Sequence, residues 1–353
     1  MTPITSPLTK PTASSDTQRS DHEKSDLLIS VVVPCYNEEA VLRETHASLV
    51  AALEQLEGWK FELVYIDDGS RDATLDILRE LQAASGRVRV VCMSRNFGHQ
   101  LATTAGLEHA SGDVVVVIDA DLQDPPEVIG EMVALWRAGY QVVYGVRAER
   151  HGESFFKRYT ARIFYRLHNQ LSETKLPLDA GDFRLLDRQV VEVLLRMPER
   201  DRFLRGMISW IGFKQAAVMF VRAPRRAGVS KYPLFKMLRF AIDGLISFSL
   251  TPLRLALWTG FLSLGVAFAA LVYAIIIRLY TDNWVRGWAS IFTAVLFMGG
   301  TQLVTLGIVG EYIGRIYAEV KQRPLYVVGA RLGFGENRQR HQDEINRNDA
   351  PHD

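Results

Sequence analysis

Short apolar runs alternate with helical patterns through the first third of the chain. The runs have the length of strands and are rich in valine and isoleucine, which is typical of strands buried in a sheet. Between two of them, Leu75, Leu78 and Leu81 recur at helical spacing. This alternation predicts an α/β domain with a parallel sheet and right-handed crossovers. The runs that carry the pattern are 28–33, 61–66, 88–93 and 114–118.

Two much longer apolar runs follow near the C-terminus. Leu255–Ile277 contains 23 residues without a charge and lies between Arg254 and Arg278, and Trp288–Gly310 forms a second run. Each run is long enough to cross a bilayer, so the sequence predicts two transmembrane helices. A buried helical hairpin in a soluble protein is the alternative.

Lysine and arginine are concentrated on both sides of these two runs, whereas the short loop between them holds two arginines. The positive-inside tendency therefore predicts a multi-pass protein of the inner (plasma) membrane, with both chain ends and the α/β domain in the cytoplasm. The flanking cations are Lys231, Lys236, Arg239 and Arg254 before the runs, and Arg315, Lys321, Arg323 and Arg331 after them.

Composition and periodicity define the remaining segments. The polar ends lack hydrophobic periodicity, which predicts disordered tails. Lys236, Arg239 and Asp243 fall on one face of an otherwise apolar helical pattern, as in a helix that lies in the lipid headgroup layer. Cys35 and Cys92 are the only cysteines, which excludes a disulfide framework and fits a reducing compartment. The predicted segments are an N-terminal tail 1–26, an α/β domain 27–230, an interfacial helix 231–252, a transmembrane hairpin 253–312, a second amphipathic segment 313–331 and a polar tail 332–353.

Carboxylates come directly after the last of the strand-like runs. Asp119 and Asp121 are two residues apart, and Gln123 continues the spacing. This position lies past the carboxyl end of a strand, where α/β sheets bind their ligands. Two carboxylates and an amide suit a hard cation, Mg²⁺ or Mn²⁺, that keeps positions open for water and substrate phosphates. Taken alone, the same spacing is more often a solvated turn or a helix N-cap.

Polar loops follow four of the predicted strands. Because the strand ends of a parallel sheet open on one edge, we expect these loops to converge on one crevice. No Gly-x-Gly-x-x-Gly follows the first strand and no Gly-x-x-x-x-Gly-Lys occurs, which disfavours a dinucleotide dehydrogenase and a P-loop NTPase. A carboxylate such as Asp67 can instead accept hydrogen bonds from a uracil imide or a ribose hydroxyl. The loops contain Tyr36-Asn37-Glu38, Asp67-Asp68, Arg95-Asn96 and Asp119-Ala120-Asp121.

These loops also carry four sequence motifs, VVPCYNEE (32–39), IDDGSRD (66–72), RNFG (95–98) and DADLQDPP (119–126). In this order they resemble the GT-A glycosyltransferases of family 2, in the polyisoprenyl-phosphate branch that includes dolichyl-phosphate mannose synthase and the bactoprenol glucosyl transferases. The resemblance extends over roughly residues 28–328. It implies a Rossmann-like GT-A domain. It also makes a metal site, instead of a solvated turn or helix N-cap, the preferred interpretation of the Asp-x-Asp spacing.

The resemblance implies roles for individual residues. Asp119, Asp121 and Gln123 are expected to hold the metal. Asp182, in the polar loop 179–184, is expected to position the sugar, and Arg147 to contact the donor phosphates. Asp121, Asp182 and Arg147 are therefore the expected catalytic residues. The nucleotide sugar is expected to contact Pro34, Tyr36, Glu38, Asp67, Asp119, Arg147 and, at a less typical spacing, Arg158.

Cations close to the apolar runs are candidates for binding an acceptor phosphate. Arg202 and Arg205 precede an apolar segment, and an ordinary surface salt bridge is the alternative for each of them. Lys231 ends a stretch with two arginines, a glycine and a serine, which suits phosphate binding beside a membrane.

The expected reaction is inverting transfer of a hexose, preferably glucose from UDP-glucose, to polyprenyl (undecaprenyl) phosphate at the cytoplasmic membrane face. A phosphate monoester has its second pKa near ~6, so this nucleophile needs no strong general base. Transfer of mannose or aminoarabinose to the same lipid, and a non-catalytic lipid-sugar flippase or scaffold, are alternatives. A processive polysaccharide synthase is disfavoured because its Gln-x-x-Arg-Trp motif is absent. The resemblance suggests a homo-tetramer, and nucleic acid is not an expected partner.

Overall fold

The computed structural model describes residues 27–147, 180–221, 251–280 and 287–335. Within the two C-terminal helices and at a few segment ends it describes the backbone throughout and only part of the side chains. The predicted N-terminal tail and almost all of the predicted interfacial helix 231–252 lie outside the described residues.

The described residues form one sheet with helices on both faces. The strands are β1 Leu27–Cys35, β2 Trp59–Asp67, β3 Val88–Met93, β4 Val114–Val117, β5 Val142–Arg147, β6 Ala180–Asp187, β7 Gln215–Phe220 and β8 Val328–Leu332. The helices are α1 Leu42–Glu54, α2 Thr74–Ala84, α3 His99–His109, α4 Val128–Arg137, α5 Arg188–Arg196, α6 Leu204–Ile211, α7 Thr251–Tyr280 and α8 Trp288–Val320.

The sheet is mixed, with strand order β7-β5-β6-β4-β1-β2-β3-β8. β4, β1, β2 and β3 are parallel, as the alternation of strands and helices predicts. β6 is antiparallel to both of its neighbours, β4 and β5, and β8 is antiparallel to β3. The predicted parallel sheet is therefore confirmed for β1–β4, whereas the sheet as a whole is mixed, because the hydrophobic pattern of a strand does not encode its direction.

The residues at the start of β6 differ from the prediction. The segment 179–184 was expected to be a polar loop, yet a strand begins at Ala180 and inserts between β4 and β5. Phe183 and Leu185 are fully buried on one face of this strand. Burial of apolar side chains on both faces, with Leu186 on the other, therefore stabilises a strand whose polar residues had indicated a loop.

Alternating side chains of β1 pack on opposite faces of the sheet. Val31 and Val33 join the hydrophobic cluster that includes α1 and α4, whereas Val32 joins the cluster that includes α3 and α5. α3 lies very close to β1, since a Cβ atom on Gly106 would lie 2.1 Å from Cγ1 of Val32. Only glycine permits this approach, which fixes the position of α3 on the sheet.

A buried polar network lies at the end of the sheet where the parallel strands begin. Glu62 on β2 is 4% exposed and forms an ion pair with Arg89 at 2.6 Å. Its other carboxylate oxygen accepts hydrogen bonds from the hydroxyls of Ser30 and Ser111, at 2.5 and 2.7 Å. The Ser30 hydroxyl also accepts the backbone N–H of Gly112 at 2.7 Å. These contacts hold the turn that precedes β4.

The chain returns from α8 to the edge of the sheet. β8 pairs with β3, and beside it Tyr326 donates a hydrogen bond to Glu108. Arg331 donates from Nε to Nε2 of His109 at 3.1 Å. The predicted amphipathic segment 313–331 coincides with the end of α8, which continues to Val320, and with most of β8, which pairs with β3.

α7 and α8 contain 30 and 33 residues and expose many large apolar side chains. Over the part of the chain that the structure describes, no helix combines the length and the apolar character that a bilayer crossing requires. The prediction of two transmembrane helices is therefore not supported. The exposed side chains include Trp258, Phe261, Leu262, Phe268, Tyr273, Ile291, Phe297 and Leu303.

Candidate active site

The loops that follow β1 and β2 are joined by hydrogen bonds. The side-chain oxygen of Asn37 accepts the N–H of Arg71 at 2.8 Å, and the N–H of Asn37 donates to the Ser70 hydroxyl at 3.1 Å. Asn37 has a φ of 57°, which asparagine tolerates better than most residues. These contacts form a rigid rim on one side of the crevice.

The residues predicted to hold the nucleotide lie on or beside this rim. Pro34 is buried within β1, whereas Tyr36 is 43% exposed beyond its end. Glu38 is half-buried, and its N–H donates to the Thr74 hydroxyl at 2.8 Å. Asp67 is buried at the end of β2 and accepts the N–H of Ser70 at 3.2 Å. The fold thus places these residues at neighbouring strand ends, as expected.

Asp68 was not singled out as a site residue, yet it ties two loops together. Its carboxylate accepts the N–H groups of Phe97 and Gly98 at 2.7 and 2.9 Å. Burial outweighs these hydrogen bonds and raises the pKa of Asp68. The next residue, Gly69, has a φ of +69°, and a Cβ there would lie 2.5 Å from the carbonyl carbon of Arg95. The Asp-Asp-Gly sequence therefore brings the loops after β2 and β3 into contact.

The Asp-x-Asp-x-Gln segment turns sharply after β4. Leu122 has a φ of 56°, a left-handed conformation that is uncommon for a bulky residue. The N–H of Gln123 donates to Oδ1 of Asp121 at 3.2 Å, which closes the turn. Asp119 is partly exposed, with 31% of its side-chain surface accessible, whereas Gln123 is buried at 7%. Backbone strain of this kind is concentrated at functional sites.

The antiparallel register of β6 brings a second carboxylate to this turn. Val117 on β4 pairs with Arg184 on β6. Continuing that register by two residues places Asp182 opposite Asp119. Sequence reasoning had grouped both residues in the site, and the strand pairing supplies the geometric reason.

His99, at the start of α3, lies between these two carboxylates. Its Nε2 atom is 3.6 Å from Oδ1 of Asp119 and 3.6 Å from Oδ2 of Asp182. Burial opposes a charge on the ring, but the interaction with Asp182 and the negative charge of Asp119 outweigh it, so the pKa of His99 is raised. Sequence reasoning missed His99. Its place directly after the Arg95–Gly98 motif was the available signal.

Arg205 on α6 binds Asp182 through two parallel hydrogen bonds. Nε and Nη2 of Arg205 each lie 2.8 Å from a different oxygen of the carboxylate. Burial alone would raise the pKa of Asp182, but the hydrogen bonds from Arg205 and the nearby His99 hold it well below its usual range. Asp182 is therefore a permanent anion in the crevice, and its orientation is set by Arg205.

Arg184, two residues along β6, is a further cation that sequence reasoning missed. It is 6% exposed, and Nη2 donates to the carbonyl of Gly181 at 2.8 Å. Burial lowers the pKa of Arg184 to about 10, opposed by the charge of Asp182. The guanidinium therefore remains charged at neutral pH and supports the start of β6, which carries Asp182.

Arg202, expected near an acceptor phosphate, is 7% exposed. It donates to the carbonyls of Met197 at 2.7 Å, Glu199 at 3.2 Å and Leu194 at 3.5 Å. These acceptors belong to the last turn of α5 and the loop that follows it. The contacts assign Arg202 to holding this loop.

The remaining predicted cations cannot be placed by their side chains. Arg147 ends β5, but only its backbone is described. Arg158 and Lys231 lie outside the described residues.

The donor chemistry at the end of β4 fits a hard divalent cation. Asp119 and Asp121 offer carboxylate oxygens, and the cation takes few protein ligands when substrate phosphates and waters complete its coordination. Across residues 27–147, 180–221, 251–280 and 287–335, no three His, Cys, Asp or Glu side chains are grouped to hold a metal ion. The carboxylate oxygens of Asp119 and Asp121 suit Mg²⁺ or Mn²⁺ held jointly with a substrate.

Comparison with known proteins agrees with this arrangement. Residues 30–195 match the model of glycosyl transferase family 2, and residues 251–316 match the GtrB C-terminal hairpin. The uncharacterised glycosyltransferase YkcC of Bacillus subtilis (strain 168) is 48% identical over 315 residues, which cover 89% of this chain and 97% of YkcC. The chain belongs to glycosyltransferase family 2. The resemblance of its four motifs is thereby confirmed, and the mixed sheet is that of a GT-A domain.

Other relatives of this glycosyltransferase align with it over most of their own length. The SfII prophage-derived bactoprenol glucosyl transferase of Shigella flexneri is 43% identical over 300 residues, 85% of this chain and 97% of the relative. Among solved structures, glucosyl-3-phosphoglycerate synthase from Mycobacterium tuberculosis, in complex with Mn²⁺, UDP and phosphoglyceric acid, is 27% identical with a TM-score of 0.44. That match covers 63% of this chain and 78% of the synthase.

Proposed function

We propose that this glycosyltransferase moves glucose from UDP-glucose to polyprenyl phosphate. The support is the 43% identity to a bactoprenol glucosyl transferase across 85% of the chain, including the hairpin that follows the catalytic domain. The structural observation that carries the proposal is the cluster of Asp119, His99, Asp182 and Arg205 at the ligand-binding edge of the sheet.

In the proposed reaction an oxygen of the lipid phosphate bonds to the anomeric carbon of glucose. The bond from that carbon to the diphosphate oxygen breaks, UDP leaves with the electron pair, and the configuration inverts. The acceptor phosphate is largely dianionic at neutral pH, so no proton has to be removed by a strong base. Alignment and charge neutralisation are the tasks left for the protein.

The carboxylates divide these tasks. Asp182 is fixed by two hydrogen bonds from Arg205 and is suited to accept hydrogen bonds from sugar hydroxyls. Asp119 and Asp121, with Gln123, hold Mg²⁺ or Mn²⁺, which neutralises the diphosphate when bound. On the nucleotide side, Asp67 accepts hydrogen bonds from the base or ribose.

Cations whose side chains are not described complete the proposal. Arg147 contacts the donor phosphates, with a weaker contribution from Arg158. Lys231 binds the acceptor phosphate, and the support is its place between the catalytic domain and the helix pair. Arg202 keeps its contacts to the loop after α5 and is left out of the acceptor site.

The proposed location is the inner membrane, with the catalytic domain on the cytoplasmic face and the protein a homo-oligomer, preferably a tetramer. Support for attachment comes from the exposed apolar side chains of α7 and α8. The excess of lysine and arginine on both sides of the pair supports the cytoplasmic orientation. Flotation with vesicles of phosphatidylglycerol and phosphatidylethanolamine tests attachment, and failure of the full chain to float contradicts it.

The decisive experiment supplies purified full-length protein with labelled UDP-glucose, polyprenyl phosphate and Mg²⁺ or Mn²⁺. We expect a labelled glucosyl lipid whose linkage is inverted and whose formation stops with a chelator. GDP-mannose and a UDP-aminoarabinose donor serve as parallel donors. Transfer from one of these instead of UDP-glucose contradicts the proposed sugar, and no transfer from any donor contradicts the proposed reaction.

A further inference from the structure

The end of α8 contacts the loop between α5 and α6, residues 197–203. Arg315 on α8 forms an ion pair with Asp201 in that loop. Glu311, one turn earlier on α8, accepts a hydrogen bond from Nε of Arg315 at 3.3 Å, which orients the guanidinium towards the loop. The Arg315 side chain is 22% exposed and that of Asp201 is 65% exposed, so this is a surface ion pair.

A second set of contacts holds the neighbouring loop residue. Oε1 of Glu319, one turn further along α8, accepts the backbone N–H of Arg200 at 2.9 Å. The guanidinium of Arg200 donates in turn to the carbonyl of Arg323. Two consecutive loop residues, 200 and 201, are therefore bound to α8 and the segment directly after it.

The same loop leads directly into the candidate active site. Arg202 is buried and donates hydrogen bonds to carbonyls of α5 and the loop, so this part of the loop is rigid. The N–H of Leu204, the first residue of α6, donates to the side chain of Gln100 on α3 at 3.1 Å. Arg205 follows and binds Asp182. Three residues, 202–204, thus separate Asp201, which contacts α8, from Arg205, which orients the sugar-side carboxylate.

We propose that Arg315 and Glu319 are positioning residues for glycosyl transfer. By fixing the α5–α6 loop they set the start of α6, and through Arg205 they set the orientation of Asp182. Exposed ion pairs contribute little to global stability, so the contacts act on geometry more than on folding. The proposal rests on the proposed function, because it gives the helix pair a part in aligning the transfer site as well as in attachment.

This arrangement connects the place where the acceptor arrives with the place where it reacts. The helix pair is the proposed membrane attachment, whereas Asp182 lies at the sheet edge. A displacement of α8 is transmitted to Asp182 through residues 200–205. Hydrogen bonds fix this segment to α8 at Arg200, and to Gln100 and Asp182 at Leu204 and Arg205. Loss of the α8 contacts is therefore expected to lower the turnover number while leaving the nucleotide rim, on the other side of the crevice, unchanged.

The test compares Asp201→Ala, Arg315→Ala and the double variant in full-length protein. We expect each single variant to lower kcat by about three- to tenfold, with the double variant no worse than either, because both remove one contact. UDP binding and the melting temperature should stay at wild-type values, and Arg315→Lys should recover part of kcat. Arg323→Ala is the matched control: it removes a neighbouring cation but keeps the carbonyl that Arg200 uses, and its kcat should not change.

Hydrogen exchange of α6 separates this proposal from the assignment of the substrates. We expect faster exchange at residues 204–211 in Asp201→Ala and Arg315→Ala, and wild-type exchange in Arg323→Ala, with no sugar or lipid present. If exchange in α6 is unchanged, the positioning role is wrong even where transfer is observed. Equal loss of kcat in Arg323→Ala, or loss of UDP binding and melting temperature together with kcat, also overturns it.

Discussion

Arg205 donates two hydrogen bonds of 2.8 Å to Asp182, one to each carboxylate oxygen. Both side chains are largely buried, at 30% and 20% exposure. Arg205→Ala removes both of these hydrogen bonds from Asp182, and we expect a loss of about 2 to 4 kcal/mol in the free energy of unfolding. Arg205→Lys keeps the positive charge but loses the two parallel N–H donors of the guanidinium, so it should recover only part of the unfolding free energy. Urea unfolding of the three proteins measures both effects.

The same pair predicts how stability depends on pH. Asp182 has a depressed pKa in the folded protein, so its contribution is complete above the unfolded pKa of about 3.9 and is lost as the pH falls through the folded value. The difference in unfolding free energy between wild type and Arg205→Ala should therefore be largest near pH 8, fall as His99 becomes charged, because Arg205 lowers the pKa of His99, and shrink further in stronger acid. A difference that grows towards acid contradicts the assigned pair.

Asp121→Ala should abolish transfer without unfolding the protein. The residue lies in a turn beyond β4 and is not a member of either hydrophobic cluster, and its proposed task is to help hold the cation. Asp119→Ala should be nearly as damaging. The measurements are initial rates over a Mn²⁺ titration together with the melting temperature.

Glu127→Ala is the matched control for these two variants, since it removes an exposed carboxylate from the start of α4, a few residues further on. Its rate should equal that of wild type at every metal concentration. Full activity of Asp121→Ala at ordinary metal concentrations removes Asp121 from the proposed metal site.

Much of the site could be read from the sequence because it lies at the ends of parallel strands. The motifs that end β1, β2, β3 and β4 lie side by side in the sheet, as strand-then-helix alternation requires. Pro34, Tyr36, Asp67 and Asp119 therefore fall where their motifs indicate. Local hydrophobic pattern and a fixed topology rule are sufficient for this half of the site.

The other half depends on contacts between distant segments, which the pattern does not encode. Asp182 comes opposite Asp119 because β6 inserts antiparallel between two parallel strands. His99 becomes part of the cluster because α3 begins beside that insertion. The return of the chain as β8 follows the same logic, since its partner edge on β3 lies more than 200 residues earlier in the sequence.

Both cysteine thiols should react slowly with alkylating reagents. Burial raises the pKa of Cys92 to about 11, with a further contribution from the charge of Asp67. The Cys35 thiol is fully buried. This burial is the main cause that raises its pKa well above the usual value, and the negative charges of nearby carboxylates raise it further. Iodoacetamide labelling at pH 7.5, with unfolded protein as the reference, measures the rates, and Cys35→Ser should retain turnover. Fast labelling of Cys35 in the native protein would contradict the interpretation that this side chain only packs in the core.

The ion pair of Glu62 and Arg89 should be a strong determinant of stability with no direct part in catalysis. Glu62 lies near the start of β2, at the opposite end of the sheet from Asp67 and the site. Glu62→Ala leaves Arg89 without its 2.6 Å partner and two serine hydroxyls without their acceptor. Breaking a buried pair in this way costs about 3 to 5 kcal/mol.

Glu54→Ala is the matched comparison for Glu62→Ala, because Glu54 also pairs with an arginine, Arg87, but at 3.9 Å and with both side chains about 60% exposed. That change should alter the unfolding free energy by less than about 0.5 kcal/mol. Urea unfolding gives the stabilities, and kcat measured well below the melting temperature gives the catalytic effect. If Glu62→Ala keeps wild-type stability, the network does not hold the turn before β4. If kcat falls in Glu62→Ala while the protein is folded, the turn transmits its geometry along β4 to Asp119, and the separation of the two ends of the sheet is wrong.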